Sequence, residues 1–478
     1  MTSGLSENCW KEKQGQARLV ELYLNEIAQK TGGEILQGSS STVFRTFNID
    51  SRRTQRGELF FALVAQRNGH VYVSDAAQKG AAGAVISQKI TPPNSDVALI
   101  RVTDTLLALQ KLAQKVLLSH KARIVGITGS IGKTTTKEFA ASLLSRSFEV
   151  LKSEGNFNNH IGLPLSILRL EDTHTIAVLE MGMSAPGEIS RLTQIAPPDI
   201  AVITNIHPVH LEFFKDVEQV AKAKKEILDD LKPGGIAILN GDDPWVRKIS
   251  KGWKGAKLFF GLSESCEIRA TNIQRMGIQG FSFDLLYKNK IERIHFPYFY
   301  TSFLYNFLAA VGVAQAFSTP PQDLLQQVQT LRSFEMRGKI YQLENDITLI
   351  DDSYNSNPIA LESSLKDLSG LPAKRKVAVL GDMLEMGKQK VRYHIRAGEQ
   401  VKAHNWDILV TVGHLSRHMA EGALKSGMRK DCIFSFSDSE ETADHIIPLL
   451  KAGDLVLVKG SRGMKTEKIV KKLKKKGF

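Results

Sequence analysis

A glycine-rich segment, GITGSIGKTTT at 126–136, grows out of a short apolar run at 123–128 and leads into a helical pattern reaching to about residue 148. Strand, glycine-rich turn and helix form the arrangement that binds a nucleoside triphosphate. Glycines let backbone N–H groups face the phosphates, and the helix N-terminus adds positive potential. Thr128, Gly129, Ser130, Ile131 and Gly132 would form the cradle, Lys133 would reach the β- and γ-phosphates, and the Thr134 hydroxyl would hold Mg2+. The usual spacing is not kept, because Ile127 stands where the first glycine of the common pattern falls and the glycines sit at 126 and 129.

Two further residue types carry chemistry. Glu180 ends an apolar run, TIAVLE, and α/β sheets place ligands at the carboxyl ends of their strands. Taken by itself, a strand-end glutamate is more often a cap, and a lone histidine such as His207 or His210 more often a satisfied core residue. Lys224 lies within a helical stripe of Val217, Val220, Ile227, Leu228 and Leu231, whereas Lys222 and Lys225 point elsewhere at 100° per residue. A lysine buried there favours its neutral form, which reacts with carbon dioxide, unless the stem follows the core and the amine escapes to solvent.

The elements that must position these groups fall into three regions. The first, to about residue 105, is mixed, with a helix expected over 17–29 and strands over 59–64 and 82–86. The second opens with a helix over 105–118 and holds apolar runs ending at Glu180, Asn205 and Asn240. The third starts near Ser333 and alternates strands (347–350, 377–380, 408–412, 432–436, 455–458) with helical stretches, which predicts a parallel α/β sheet. The 478 residues accordingly divide into 1–105, 106–332 and 333–478.

Hydrophobic residues at 42% and charged residues at 24% describe an ordinary globular chain and exclude a disordered or fibrous one. No apolar run is long enough to span a membrane, and the first residues lack the apolar core of a signal peptide. Cys9, Cys266 and Cys432 lie far apart, without the spacing of a disulfide framework or metal site. A cytoplasmic protein is expected. The net charge is +13, and nine of the basic residues, against Glu467 alone, fall between Lys459 and Phe478. Such a tail reads either as the solvated face of a last helix or as a contact for nucleic acid or an anionic membrane surface.

The segment at 128–134 resembles the ATP loop of the Mur ligases, ATP-dependent amide ligases of peptidoglycan precursor synthesis. GNFNNHIGLP (155–164), EMGMSAPGEI (180–189) and TNIHPVHLE (204–212) are similar to further segments of that family. DDSYNSNP (351–358), LGDMLEMG (380–387) and VKGSRGM (458–464) resemble the branch whose substrates are a UDP-N-acetylmuramoyl-tripeptide and D-alanyl-D-alanine. The resemblance implies a three-domain α/β ligase: a uridine-binding domain, a central phosphate-loop ATPase-like domain with a parallel sheet, and a Rossmann-like third domain. It implies ATP and Mg2+ as cofactors and an acyl phosphate intermediate; a monomer is expected. Glu180 and His210 are implied as Mg2+ ligands, His210 being favoured over His207, and Lys224 as a carbamate near the metal. Arg337 would meet the γ-phosphate, Asn306 the adenine and Asp352 the ribose; the family's other adenine-side residues are replaced here by Ser302 and Phe303. The muramyl-peptide substrate would meet Asn158, Asn159 and His160, with Ser51 and Arg52 near the uridine. Asn355 and Asn357 are candidates for the D-alanyl-D-alanine side; Lys459 and Arg462 would neutralise substrate carboxylates or begin the basic helix. The rivals are a diamino-acid-adding sister ligase, a folylpolyglutamate-synthase-like ligase and a phosphate-loop ATPase stimulated by nucleic acid. The motifs at 351–358 and 380–387 favour the first reading, in which no nucleic acid takes part.

Overall fold

The computed structural model describes residues 19–93, 95–209, 212–288, 290–331 and 334–475. His210, Cys9, residues 17 and 18 of the helix expected over 17–29 and the boundary at 332 and 333 lie outside them. That helix begins only at Leu24 and runs to Thr31, because Leu22–Tyr23 pairs as a strand with Val43–Phe44.

Strand Arg123–Thr128 is buried along all but its first residue, as expected of a parallel strand covered on both faces. It pairs with Ile176–Glu180 on one side and Ile200–Ile203 on the other, all parallel. From Arg123–Thr128 the chain first crosses to the edge strand Val150–Lys152 and returns to Ile176–Glu180, then crosses to the opposite side. The crossovers diverge at the central strand, and the crevice outside its carboxyl end is where such a sheet accepts ligands. The register sets Glu180 beside Ile127 and Ile203 beside Thr128, so the phosphate loop, Glu180 and Thr204–His207 emerge together.

The same sheet continues through Ile236–Asn240 and Ala256–Gly261 to Ile268–Arg275, then turns antiparallel through Phe281–Tyr287 and Lys290–Phe296, giving nine strands. A smaller five-stranded sheet near the N-terminus is parallel except for its edge strand Glu34–Gln37. Helix Thr105–Ser119 bridges the two sheets. The Thr105 hydroxyl donates to the Ala62 carbonyl at 2.9 Å, while Gln110 and Gln114 donate to the carbonyls of His160 (2.9 Å) and Gln194 (2.6 Å).

The third sheet has six strands, parallel but for Lys339–Gln342. Its neighbours Thr348–Asp352, Asp454–Lys459 and Arg375–Gly381 deliver the loops bearing 351–358, 458–464 and 380–387 at one edge. It docks on the central region through Asp367. That buried carboxylate accepts from the Thr301 N–H and hydroxyl, both at 2.8 Å, and pairs with Arg275 at 2.9 Å. The last helix, Glu467–Lys475, buries Ile469, Val470 and Leu473. Three of its lysines have local partners: Lys468 pairs with Glu440, Lys472 with Asp444 at 2.7 Å, and Lys474 lies over the Tyr341 ring. No helix among the described residues is long and apolar enough to cross a membrane.

Candidate active site

A cleft of about 830 Å³ lies between the central and third sheets, lined by the phosphate loop from Ser130 to Thr135, by Asn158, Asn159 and Glu180, and by residues of both 354–357 and 384–386. Segment 204–207 clamps the loop from below. The Asn205 side chain accepts from Ile131 N–H and donates to Ile131 C=O, each at 2.9 Å, while the Thr204 hydroxyl donates to that same carbonyl at 2.6 Å. The Ser130 hydroxyl accepts from the His207 N–H at 2.9 Å. Thr128 and Gly129 do not line the cleft; the Thr128 side chain is fully buried.

Close approach dictates both loop glycines. A Cβ on Gly129 (φ +150) would lie 1.8 Å from Thr204 Oγ1, and one on Gly132 (φ +87) would lie 2.2 Å from Asn306 Oδ1. Asn306 thus caps the loop from helix Thr301–Ala316 while lining the cleft. Substituting Gly132→Ala adds left-handed strain and this clash, about 1–3 kcal/mol in all, so affinity for an ATP analogue is expected to fall about 10–100-fold. Titration calorimetry on the folded variant checks this.

Lys133 is half-buried and donates to the Gly129 carbonyl at 2.8 Å. Burial holds its amine below the usual lysine range, with Arg337 pushing the same way and Glu180 opposing. Glu180 is almost fully buried; its Oε2 accepts from the Thr134 hydroxyl at 2.8 Å and its Oε1 from Asn158 Nδ2 at 2.7 Å. A carboxylate and a hydroxyl converging at one point are hard oxygen donors, the set that suits Mg2+. No cluster of three or more acidic, histidine or cysteine ligands occurs among the described residues, which do not include His210. His207 lines the cleft, its imidazole pushed below the usual range by burial.

Arg337 reaches in from the third region, donating to Thr134 Oγ1 at 3.2 Å, with its guanidinium 4.0 Å from the Tyr354 ring centroid. Lys224 stands behind the cleft wall with a relative exposure of 2%. Burial and then the Lys133 charge push its amine well below the usual range, and no acid offsets them.

Asp352 lines the cleft, but its Oδ2 accepts from Lys459 at 2.6 Å, Ser364 at 3.0 Å and Tyr300 at 3.4 Å. Lys459 is therefore committed within the protein, whereas Arg462 remains partly exposed at the cleft rim. Asn355 and Asn357 both line the cleft, and Asn357 also caps helix Pro358–Ser369 by accepting from the Ala360 N–H at 2.9 Å. His160, Ser51 and Arg52 do not line it. Ser51 is buried, and Arg52 is exposed and paired with Asp50 at 2.8 Å. Sequence reasoning missed Thr204, Asn205, Tyr354 and Tyr305, which lines the cleft and donates to Asp242 at 2.9 Å. The polar residues just after the run ending at 203 were the available signal for the first two.

Fold and cleft together define an α/β nucleotide-binding protein whose phosphate loop is closed over by a second parallel sheet. The family description "Mur ligase middle domain" matches residues 127–314, and "Mur ligase, glutamate ligase domain" matches residues 335–462. The UDP-N-acetylmuramoyl-tripeptide–D-alanyl-D-alanine ligase of Bacillus subtilis is 33% identical over 459 residues, covering 95% of this chain and 99% of its own. A MurF crystal structure from Acinetobacter baumannii superposes with a TM-score of 0.87 at 28% identity, covering 96% of this chain and 99% of that one. The MurF ligase of Thermotoga maritima, solved with ADP, gives 0.79 at 29% identity, covering 90% of this chain and 97% of its own. The chain belongs to the Mur ligase family, on the branch of the UDP-N-acetylmuramoyl-tripeptide–D-alanyl-D-alanine ligases.

Proposed function

We propose that this chain joins D-alanyl-D-alanine to a UDP-N-acetylmuramoyl-tripeptide at the expense of ATP, in the cytoplasm, where ATP is available. One observation carries the reading: the phosphate loop, Glu180, Asn158 and Arg337 converge in a single cleft with residues 354–357 of the third sheet.

A carboxylate is a poor electrophile and must be activated. One of its oxygens attacks the γ-phosphorus, the bond to the bridging oxygen breaks, and ADP leaves. The dipeptide amine then attacks the acyl carbon of the mixed anhydride. Inorganic phosphate departs with the original carboxylate oxygen, and the amine proton passes to solvent. Lys133 and Arg337 place cations where phosphoryl charge accumulates. Thr134 and Glu180, with His210, would hold Mg2+, which supplies charge neutralisation when bound. Lys224, as a carbamate, would add an anion behind them. Asn306 would meet the adenine, and Asp352 a ribose hydroxyl. Asn158 and Asn159, with His160 at the end of the same turn, would receive the muramyl peptide, and Ser51 and Arg52 the uridine end. Asn355 and Asn357 would face the dipeptide.

Release of ADP and phosphate is expected only when the UDP-muramyl-tripeptide and D-alanyl-D-alanine are both present, with oxygen label passing from the donor carboxylate into phosphate. Turnover with a free amino acid replacing the dipeptide, or phosphate without label, would refute the assignment.

A further inference from the structure

Lys137 lies one turn beyond Lys133 on helix Lys133–Leu144 and is fully buried, a costly place for an ammonium group unless every proton finds an acceptor. Here three acceptors serve its three protons. Nζ donates to the Ser153 carbonyl at 2.6 Å, to the Gly155 carbonyl at 3.2 Å and to Glu138 Oε1 at 3.1 Å. Glu138 is held below the usual carboxylate range: burial pushes it upward, but Lys152 and Lys137 outweigh that.

What these carbonyls belong to gives the lysine its meaning. Ser153 is fully buried, and its hydroxyl accepts from the Glu180 N–H at 3.1 Å. Gly155 (φ +51) opens the turn that delivers Asn158 and Asn159 to the cleft, and Asn158 donates to Glu180. One ammonium therefore ties the helix of the phosphate loop to the exit of the edge strand Val150–Lys152 and to the asparagine turn.

We infer that Lys137 is a positioning residue that fixes the 153–159 turn relative to the phosphate-loop helix, so that the acid substrate's asparagines and the Glu180 carboxylate are presented in register with the nucleotide. The inference rests on the ligase reading for the identity of the acid substrate. Lys137 touches no substrate; it acts through Ser153 and Gly155.

The test compares the full-length wild type with Lys137→Met, which keeps the stem and removes all three donors. The KM for the UDP-muramyl-tripeptide is expected to rise about 10–100-fold, as loss of charge-assisted hydrogen bonds would give, while affinity for an ATP analogue stays within about threefold. Hydrogen exchange at amides 153–159 should speed up, with the helix 133–144 still protected. Lys137→Gln keeps two donors; it should recover part of the KM, and it carries the same comparison if the methionine variant does not fold. An unchanged KM for the acid substrate, or nucleotide affinity falling in step with it, would overturn the inference. Wild-type turnover in the same assay tests the ligase reading separately.

Discussion

Replacing Arg337 by alanine is expected to lower kcat about a thousandfold while the KM for ATP stays within about threefold, the pattern of an interaction made mainly in the transition state. Arg337 comes from outside the phosphate loop, yet its guanidinium lies 3.2 Å from Thr134 Oγ1 and 4.0 Å from the Tyr354 ring centroid. Stacked on the ring, the guanidinium would turn its fork to phosphate oxygens in place of the Thr134 hydroxyl, gripping them two at a time. Because Arg337 comes from the third region, the proposed reaction would receive this cation only with the two sheets apposed, an arrangement that would also keep water from a hydrolysable acyl phosphate. Arg337→Lys should recover little, since an ammonium has neither the fork nor the flat face that stacks on Tyr354. Steady-state measurement of kcat and KM by ADP release decides the matter. A rise in KM for ATP with kcat intact would mean that Arg337 only holds the ground state.

The sequence carried the central site because its parts are local. The run at 123–128 reads as a strand by apolar continuity, and the structure has Arg123–Thr128 as that strand. Glu180 ends its strand as expected, and the stripe around Lys224 is the buried face of helix Val217–Asp229. The antiparallel ribbon Ile268–Phe296 was not legible as such. Phe281, Phe283, Leu285 and Tyr287 form a buried period-two set, but Ser282 and Asp284 between them and the glycines at 277 and 280 resemble a loop. Long-range partners were illegible for a different reason. Lys137 and Lys224 are both buried lysines on helices, and nothing local distinguishes the one with three acceptors from the one without an acidic neighbour. Likewise Lys459 began the basic run in sequence but is buried against Asp352 across adjacent strands.

Lys224→Met is expected to lower kcat about a thousandfold, the scale of losing a charged group that organises a metal site, while leaving the protein as stable as the wild type or more so. The combination discriminates between roles. A lysine that merely supports the core would lose stability and activity together. Burial and the Lys133 charge press against protonation of Lys224 with no acid among the described residues in opposition, so an apolar isostere removes a buried charge problem. Reaction of the neutral amine with carbon dioxide solves the same problem differently, forming an N–C bond, releasing a proton and placing an anion beside Lys133 where a neutral amine stood. The pH dependence follows from the direction of the shift. With the folded-state pKa below the ordinary lysine value, the neutral amine dominates above that depressed pKa; carbamate and activity persist as pH rises and are lost as pH falls through it. Uncarbamylated wild type loses stability as pH falls from the ordinary lysine pKa to the depressed one, because there the unfolded chain binds the extra proton; the methionine variant lacks this slope. Depleting carbon dioxide should therefore depress wild-type kcat, most strongly at low pH, and bicarbonate should restore it. Labelled bicarbonate should give a carbamate carbon signal in the wild type that is missing from Lys224→Met. Full activity in Lys224→Met, or an equal carbamate signal in both proteins, would remove Lys224 from the site.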